Sequence, residues 1–291
     1  MAGLVARNAR WEGQKDYRLL PVTPSMESTG ASREFESQVL SVEPIMGDAV
    51  LLTVSAPAAV LSRLKPGQFF NIVTRFPGSW DPLLRRPYSV YRSHHDTSAL
   101  TFLVRPFGRG SAWLSERLPG EQIGMLGPLG NSFTVSNRAQ RLLMIGGGVG
   151  VAPLVMLSDE AATNGLDVVF IMGAATEDGL LAASELSNRI EYVVATDDGS
   201  RGHRGLATEV LGDYVQWADQ IFACGPEPMY RTLRAVVEPL RINRKPGIQV
   251  SMERGMACGL GACLGCVVET TRGMIASCVQ GPVFDLDEVI L

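Results

Sequence analysis

Four cysteines near the C-terminus carry the strongest chemical signal in this sequence. They are Cys258, Cys263, Cys266 and Cys278. The first three have the spacing C-x4-C-x2-C, and eleven residues separate Cys266 from Cys278. This is the plant-type ligand pattern of a [2Fe–2S] cluster, in which several thiolates of one tight loop converge on two irons. The sequence therefore predicts that these four cysteines are iron ligands.

The loop is also rich in glycine, at Gly259, Gly261 and Gly265. Glycine permits backbone dihedrals that other residues rarely adopt, so we expect all three to help the chain wrap around a cluster. Two alternatives are a structural zinc site and four unrelated thiols. Zinc sites usually have two separated ligand pairs, and His94, His95 and His203 lie far away in sequence. Clustered free cysteines favour a reducing, cytoplasmic compartment over a disulfide scaffold.

A second signal is the glycine loop Gly146-Gly147-Gly148-Val149-Gly150, which lies between a predicted strand and a predicted helix. That position suits a dinucleotide pyrophosphate at a helix N-terminus. We therefore expect Gly146, Gly147, Gly148 and Gly150 to contact a nucleotide. The strict G-x-G-x-x-G fingerprint fails at Val151, so a tight strand–helix turn is the open alternative.

The choice of nucleotide depends on the loop after the third strand of the same region. Asp197 and Asp198 stand there, and an acid at that place can accept hydrogen bonds from ribose hydroxyls and repel a 2′-phosphate. Arg201 and Arg204 could do the reverse. The sequence favours NAD over NADP, with Asp197 as the contact, although a simple solvated loop is the alternative.

A third group is Arg86-Pro87-Tyr88-Ser89, at the start of a predicted strand. Arginine can hold a phosphate, tyrosine can stack on a flat ring, and serine can bind a ring edge. The run 108–111, Gly-Arg-Gly-Ser, precedes a predicted helix over 111–118 and offers exposed amides to a pyrophosphate.

Two kinds of periodicity place these groups on a fold. Between 35 and 135, six short strands punctuated by Gly, Pro and Asp predict an antiparallel β-barrel. From 141, five strands alternate with helices predicted over 151–165, 177–188, 206–216 and 226–240, which predicts a doubly wound parallel sheet. We therefore expect a multidomain β plus α/β protein: an irregular extension over 1–34, an antiparallel barrel over 35–137, a nucleotide domain over 138–252 and a small cluster module over 253–291.

Composition narrows the function classes. The net charge is −4, so no basic field is available for nucleic acid or an anionic membrane surface. No apolar run approaches the roughly 18 residues of a membrane span, and the first residues lack the apolar core of a secretory signal.

Taken together, the motifs resemble the ferredoxin reductase superfamily, and more narrowly the electron-transfer subunit of class 1B dihydroorotate dehydrogenase. The resemblance runs from Phe35 to the C-terminus. The matching runs are RRPYSVY, LGPLGNSF, GGGVGVAP, ATDDGSRGHRG, ACGPEPM, MACGLGACLGC and CVQGPVF.

The resemblance implies specific cofactor contacts. FAD would touch Arg86, Pro87, Tyr88, Ser89, Leu103, Val104, Arg105, Gly110 and Ser111. The C-G-P-x-x-M element would place Cys224 and Gly225 near the nicotinamide, although Cys224 could equally be a small buried side chain. The cluster ligands would be the four cysteines named above.

The resemblance also implies an enzyme subunit of pyrimidine biosynthesis. An FMN-containing catalytic partner, in a heterotetramer of two chains of each kind, would oxidise dihydroorotate, and electrons would pass through [2Fe–2S] and FAD to NAD⁺. Because cofactors perform this chemistry, no catalytic residue is expected from the chain. The alternatives are the reductase subunit of an NADH-dependent ferredoxin:NADP oxidoreductase, sulfide dehydrogenase or anaerobic sulfite reductase, and a non-catalytic redox sensor.

Overall fold

The computed structural model describes residues 33–291 except 242, 244 and 245. The extension expected over 1–34 lies outside the described residues, apart from Arg33 and Glu34, which belong to the first strand. No helix in the described part of the chain is long and apolar enough to cross a membrane.

Six antiparallel strands close into a barrel, as predicted. They are β1 (Arg33–Met46), β2 (Ala49–Ser55), β3 (Phe69–Ile72), β4 (Arg86–His94), β5 (Ala99–Val104) and β6 (Gln122–Leu129), in the order β1-β2-β5-β4-β3-β6. Phe70 and Phe102 meet edge to face in its interior. Helix α1 (Ala58–Leu61) follows β2, and α2 (Arg109–Ser115) starts two residues before the predicted position.

The second layer is a seven-stranded sheet. Its strands are β7 (Arg141–Gly147), β8 (Asp167–Ala174), β9 (Ile190–Thr196), β10 (His203–Arg204), β11 (Gln220–Cys224), β12 (Gly247–Ser251) and β15 (Val283–Asp285), in the order β10-β9-β8-β7-β11-β12-β15. All pairs are parallel except β12–β15. The chain order reverses between β7 and β11, which makes their carboxyl ends the switch point where ligands bind in such sheets.

Two of the four predicted helices of this layer form as expected: α3 (Ala152–Thr163) and α5 (Glu227–Val237). The prediction over 206–216 is only partly right, since a 3₁₀ turn (Ala207–Val210) precedes the single turn α4 (Gly212–Val215).

The helix predicted over 177–188 is wrong, because two short 3₁₀ turns (Glu177–Gly179 and Ala183–Glu185) replace it. Between them, the consecutive Leu180 and Leu181 are both buried. Successive helical residues point in different directions, so tertiary packing of this pair outweighs helix propensity.

The C-terminal segment contains the hairpin β13 (Val267–Thr270) and β14 (Gly273–Ala276), then α6 (Ser277–Gln280). Its last strand, β15, joins the edge of the large sheet by pairing with β12. Sequence reasoning did not predict this strand. It ties the cysteine-bearing segment to the sheet.

An ionic network joins the barrel to the sheet layer. Arg92 of β4 donates from Nε to Asp159 Oδ2 at 2.7 Å and from Nη1 to Glu185 Oε2 at 2.9 Å. The buried Tyr91 hydroxyl donates to the same Glu185 oxygen at 2.8 Å. Burial raises the pKa of Tyr91 well above its usual range, so the phenol remains a donor. The network fixes how the two layers face each other.

We expect Arg92→Met to lower the free energy of unfolding by about 2 kcal/mol, because it removes charge-assisted hydrogen bonds from partly buried carboxylates. Arg272→Met is the matched control: Arg272 pairs with Glu288 on the surface, and such pairs contribute less than about 1 kcal/mol. Urea unfolding of the cofactor-loaded protein measures both. Equal losses would contradict a structural role for the network.

Candidate cofactor sites

Three adjoining cavities lie where the barrel, the sheet and the C-terminal segment meet. The central cavity has about 490 Å³, the switch-point cavity about 690 Å³ and the barrel cavity about 420 Å³. Arg105, Phe107 and Glu253 line all three. The cavities therefore form one cleft.

The central cavity has mainly apolar walls. Pro87, Tyr88 and Ser89 of β4 and Leu103 of β5 form its barrel side. Burial raises the pKa of Tyr88 to about 12, against the opposing effect of Arg86, so the phenol stays neutral at physiological pH. A flat ring with a few polar edge groups fits such a space.

The barrel cavity contains Arg86, Gly110 and Ser111 from the predicted set. The Arg86 guanidinium donates from Nη1 to the carbonyl of Leu84 at 2.8 Å. The Ser111 hydroxyl accepts hydrogen bonds from the amides of Phe107 at 2.8 Å and Gly108 at 3.0 Å, so it already orders the loop before α2. Gly110 is required by packing, because a Cβ there would lie 2.6 Å from Thr74 Oγ1.

One predicted FAD residue lies elsewhere: the Val104 side chain is fully buried in the barrel core. Alternation along β5 sends Leu103 to the cleft and Val104 inward. Val104 lines none of the three cavities, and its core-facing side chain cannot touch a ligand there.

The switch-point cavity gathers Gly147, Gly148 and Gly150 of the glycine loop and Gly225 after β11. Gly148 has a φ of +53° with open space beyond its Cα. At Gly150 a Cβ would approach the carbonyl oxygen of Cys224 to 2.6 Å, so the two loops touch only because glycine is there. This close approach brings both strand ends to one ligand.

Gly146 and Cys224 lie outside that cavity. A Cβ on Gly146 would lie 2.5 Å from Val151 Cγ1, so this glycine serves helix packing. Cys224 is 2% exposed, and burial raises the pKa of its thiol well above the usual range. The thiol is therefore neutral, which favours the small buried side chain that the sequence left as an alternative.

Asp197 lines the switch-point cavity, whereas Asp198 does not. The Asp198 carboxylate accepts hydrogen bonds from the Ser200 hydroxyl and amide, which lower its pKa. Arg201 pairs with Glu177 at 3.1 Å. Thr208, on the cavity wall, has a buried hydroxyl without a hydrogen-bond partner among the described residues. The cavity thus presents the Asp197 carboxylate, a group that suits ribose.

The four cysteines, three in the glycine-rich loop and Cys278 in α6, lie as two pairs. Cys258 contacts Cys263, and Cys278 contacts Cys266, whose Sγ also accepts the Cys278 amide at 3.4 Å. Within the described ranges, no three His, Cys, Asp or Glu side chains converge as around a single ion. Two thiol pairs suit two irons with two ligands each, so the donor set fits a [2Fe–2S] cluster.

Backbone amides point at these sulfurs. Leu260 N–H donates to Cys258 Sγ at 3.4 Å, and Gly261 N–H donates to Cys278 Sγ at 3.2 Å. Burial opposes ionisation of Cys258, but the amides of Leu260 and Cys263 outweigh it and lower the pKa of the thiol to about 6. Burial and the adjacent Cys266 raise the pKa of Cys278 to about 12, so the loop favours the thiolate form at Cys258 in particular.

Loop geometry follows the glycine prediction at two positions of three. Gly259 and Gly261 have φ values of +73° and +77°. Gly265 does not adopt a positive φ; the preceding Leu264 does, at +54°. Gly259 also lets the loop reach the barrel, because a Cβ would lie 2.3 Å from Asn71 Nδ2. Both amide atoms of the buried Asn71 lack partners among the described residues, as expected beside a bound group.

Sequence reasoning missed Phe107 and Glu253. Phe107 is 97% exposed at the mouth of all three cavities, between Pro106 and Gly108. Glu253 follows β12 by two residues. The signal that could have found Glu253 is its position at the carboxyl end of a parallel strand, where ligands bind.

Comparisons with known proteins agree with this geometry. Residues 253–290 match the family model for the iron–sulfur cluster binding domain of dihydroorotate dehydrogenase B. Residues 144–235 match the oxidoreductase NAD-binding domain. These matches confirm the predicted cluster-binding and NAD-binding classes.

Among solved structures, the chain is similar to one from the NADH-dependent reduced ferredoxin–NADP oxidoreductase, a system of flavin-based electron bifurcation. The TM-score is 0.76 at 26% identity, covering 87% of this chain and 89% of the other. This likeness confirms the ferredoxin reductase-like fold.

Sequence relatives separate the alternatives more sharply. The electron transfer subunit of dihydroorotate dehydrogenase B (NAD(+)) from Bacillus caldolyticus is 38% identical over 232 residues, which cover 78% of this chain and 87% of the relative. The same subunit from Desulforamulus reducens is 34% identical over 267 residues, covering 89% and 99%. The bifurcating reductase and the redox sensor are not favoured; the chain belongs to the family of electron transfer subunits of dihydroorotate dehydrogenase B.

Proposed function

We propose that this chain carries electrons from the FMN of a dihydroorotate-oxidising partner subunit, through a [2Fe–2S] cluster and FAD, to NAD⁺. One observation carries the proposal: an apolar contact group joins the central cavity to the cysteines. Phe69 and Met256 line the cavity and pack in the same group as Cys266 and Cys278. A short, dry stretch of protein thus separates the two sites.

Each cavity has a proposed occupant. The isoalloxazine of FAD would lie in the central cavity against Tyr88, Ser89 and Leu103, and its diphosphate in the barrel cavity near Arg86 and Gly110. NAD would lie in the switch-point cavity, where the glycine loop and Asp197 face the diphosphate and ribose. Arg105 lines all three cavities, so it could contact either nucleotide.

When bound, the cluster passes single electrons, FAD links one-electron and two-electron transfer, and NAD⁺ accepts a hydride. The chain's own residues set the geometry. The paired cysteines would hold the irons, the amides of Leu260 and Gly261 would stabilise charge on sulfur, and Tyr88 stays neutral and would provide a flat surface for the flavin ring.

The division of labour along the chain is part of the proposal. We assign FAD to 35–137, NAD to 138–252 and the cluster to 253–291, with 1–34 as an extension. The partner would contain FMN and assemble as a heterotetramer with two copies of each chain, in the cytoplasm. The cluster should face that partner, because electron tunnelling falls steeply with distance, and two residues of the loop, Cys263 and Leu260, are exposed.

Cys266→Ser should abolish the cluster, since it removes one of two ligands from an iron. We expect the complex to lose iron and to lose dihydroorotate-dependent NAD⁺ reduction. Electron transfer from NADH through the flavin to an artificial dye should persist. Iron analysis and both assays measure this. Cys224→Ser is the control and should keep about two irons per chain; full coupled activity in Cys266→Ser would rule out the proposed relay.

Asp197→Asn should relax the preference for NADH, because it removes the carboxylate that repels a 2′-phosphate. We expect the NADH/NADPH ratio of kcat/KM to fall about tenfold, a change of about 1.4 kcal/mol. Asp198→Asn provides the matched control, since Asp198 bonds to Ser200 and does not line the cavity. An unchanged ratio in Asp197→Asn, or an equal fall in both variants, would contradict the placement of the ribose.

A further inference from the structure

We propose that Glu253 supplies the proton that this chain must take up for every NADH it forms. The inference rests on the proposed placement of FAD and NAD in the cleft. It assigns a proton-transfer role to a residue of the chain, where the sequence had suggested that none was needed.

Conservation of charge and atoms requires such a proton. Electrons leave the thiolate-bound cluster one at a time and without protons, whereas NAD⁺ departs with a hydride. The balance is NAD⁺ + 2 e⁻ + H⁺ → NADH, with the two electrons supplied by dihydroorotate oxidation on the partner. One proton per turnover must therefore enter the cleft between the cluster and the nicotinamide.

Glu253 has the right position to deliver it. It lies two residues beyond the end of β12, the strand that pairs with β11 at the switch point. Its side chain lines all three cavities. Among the described residues that line the central cavity, Glu253 is the one acid, and no histidine or cysteine joins it. Apart from the arginines, the other titratable side chain of this cavity is Tyr88, whose pKa of about 12 prevents proton release near neutrality.

The surrounding charges leave the Glu253 carboxyl without an ionic partner in the described part of the chain. Four arginines line the same cavities, but each bonds elsewhere: Arg86 to the carbonyls of Leu84 and Arg85, Arg105 to Asp48, Arg109 to Asp81, and Arg254 to Glu227. Asp197 lies in the switch-point cavity. Behind Glu253, burial keeps the Cys224 thiol and the Tyr230 phenol neutral.

Desolvation favours the protonated form. The Glu253 side chain is exposed to solvent in the open cleft. The protein walls around it nevertheless partly desolvate the carboxyl, which raises its pKa above the usual range. Ring systems seated in the central and switch-point cavities would exclude more water and shift it in the same direction. A carboxyl whose pKa is raised by desolvation, and which still reaches solvent at the cleft mouth, is better able to donate a proton and to be reprotonated from water.

The test separates two steps in the reconstituted complex. Reduction of NAD⁺ by dihydroorotate consumes a proton, whereas bleaching of the flavin by NADH brings its own hydrogen as hydride. In Glu253→Gln we expect the first rate to fall at least about tenfold and the second to fall much less. In the wild type the rate of NAD⁺ reduction by dihydroorotate should decrease as pH rises through the pKa of Glu253, because the carboxylate has no proton to give. In Glu253→Gln this pH-dependent decrease should be absent.

Three further measurements fix the interpretation. Glu253→Asp should restore part of the rate of NAD⁺ reduction and its decrease at high pH. Glu116 is an exposed acid outside the cleft, so Glu116→Gln should change neither rate. Flavin content reports on folding. Equal loss of both rates in Glu253→Gln, or no loss of either, would overturn the proton role. Failure of the wild-type flavin to bleach with NADH would instead remove the proposed function, and this inference with it.

Discussion

Electron transfer between buried cofactors requires a short, packed path, and the contact between the cysteine loop and the barrel provides it here. Phe69, Leu126 and Leu129 of the barrel pack directly on Met256, Cys266 and Cys278. Gly259 lets the loop approach β3 closely, since any side chain there would strike Asn71. If this contact opened, the cluster would lose its route to the central cavity even with every ligand in place.

Other parts of the fold maintain that contact. Strand β15 extends the sheet by pairing with β12, so the ends of the C-terminal segment are anchored on the nucleotide-binding layer. Asn131, just after β6, accepts a hydrogen bond from the Val283 amide at 2.9 Å and donates one to the Val283 carbonyl at 2.7 Å. The Arg92 network holds β4 of the barrel against α3 and the turn at Glu185. Barrel, sheet and cysteine segment are thus fixed around one cleft, which suits cofactors that must keep constant distances.

Much of the fold and of the candidate sites could be predicted, because local sequence patterns determine them. The cysteine spacing, the glycine loop and the alternating strands each depend on neighbouring residues; the fold class, the cluster and the dinucleotide followed from them, while FAD was implied by the family resemblance. The helix over 177–188 failed because the burial of Leu180 and Leu181 is decided by the tertiary core. Strand β15 escaped notice because three residues carry little periodicity. The distinction between Leu103, which faces the cleft, and Val104, which faces the core, needed the register of β5.

The central claim is that cluster and flavin exchange electrons within this one chain. Its most direct measurement is anaerobic stopped-flow mixing of the isolated, cofactor-loaded subunit with NADH, followed at flavin and iron–sulfur absorbance. The account predicts that cluster reduction follows flavin bleaching at a rate independent of protein concentration. A cluster rate that rises in proportion to protein concentration, or a cluster that stays oxidised while the flavin bleaches, would contradict it.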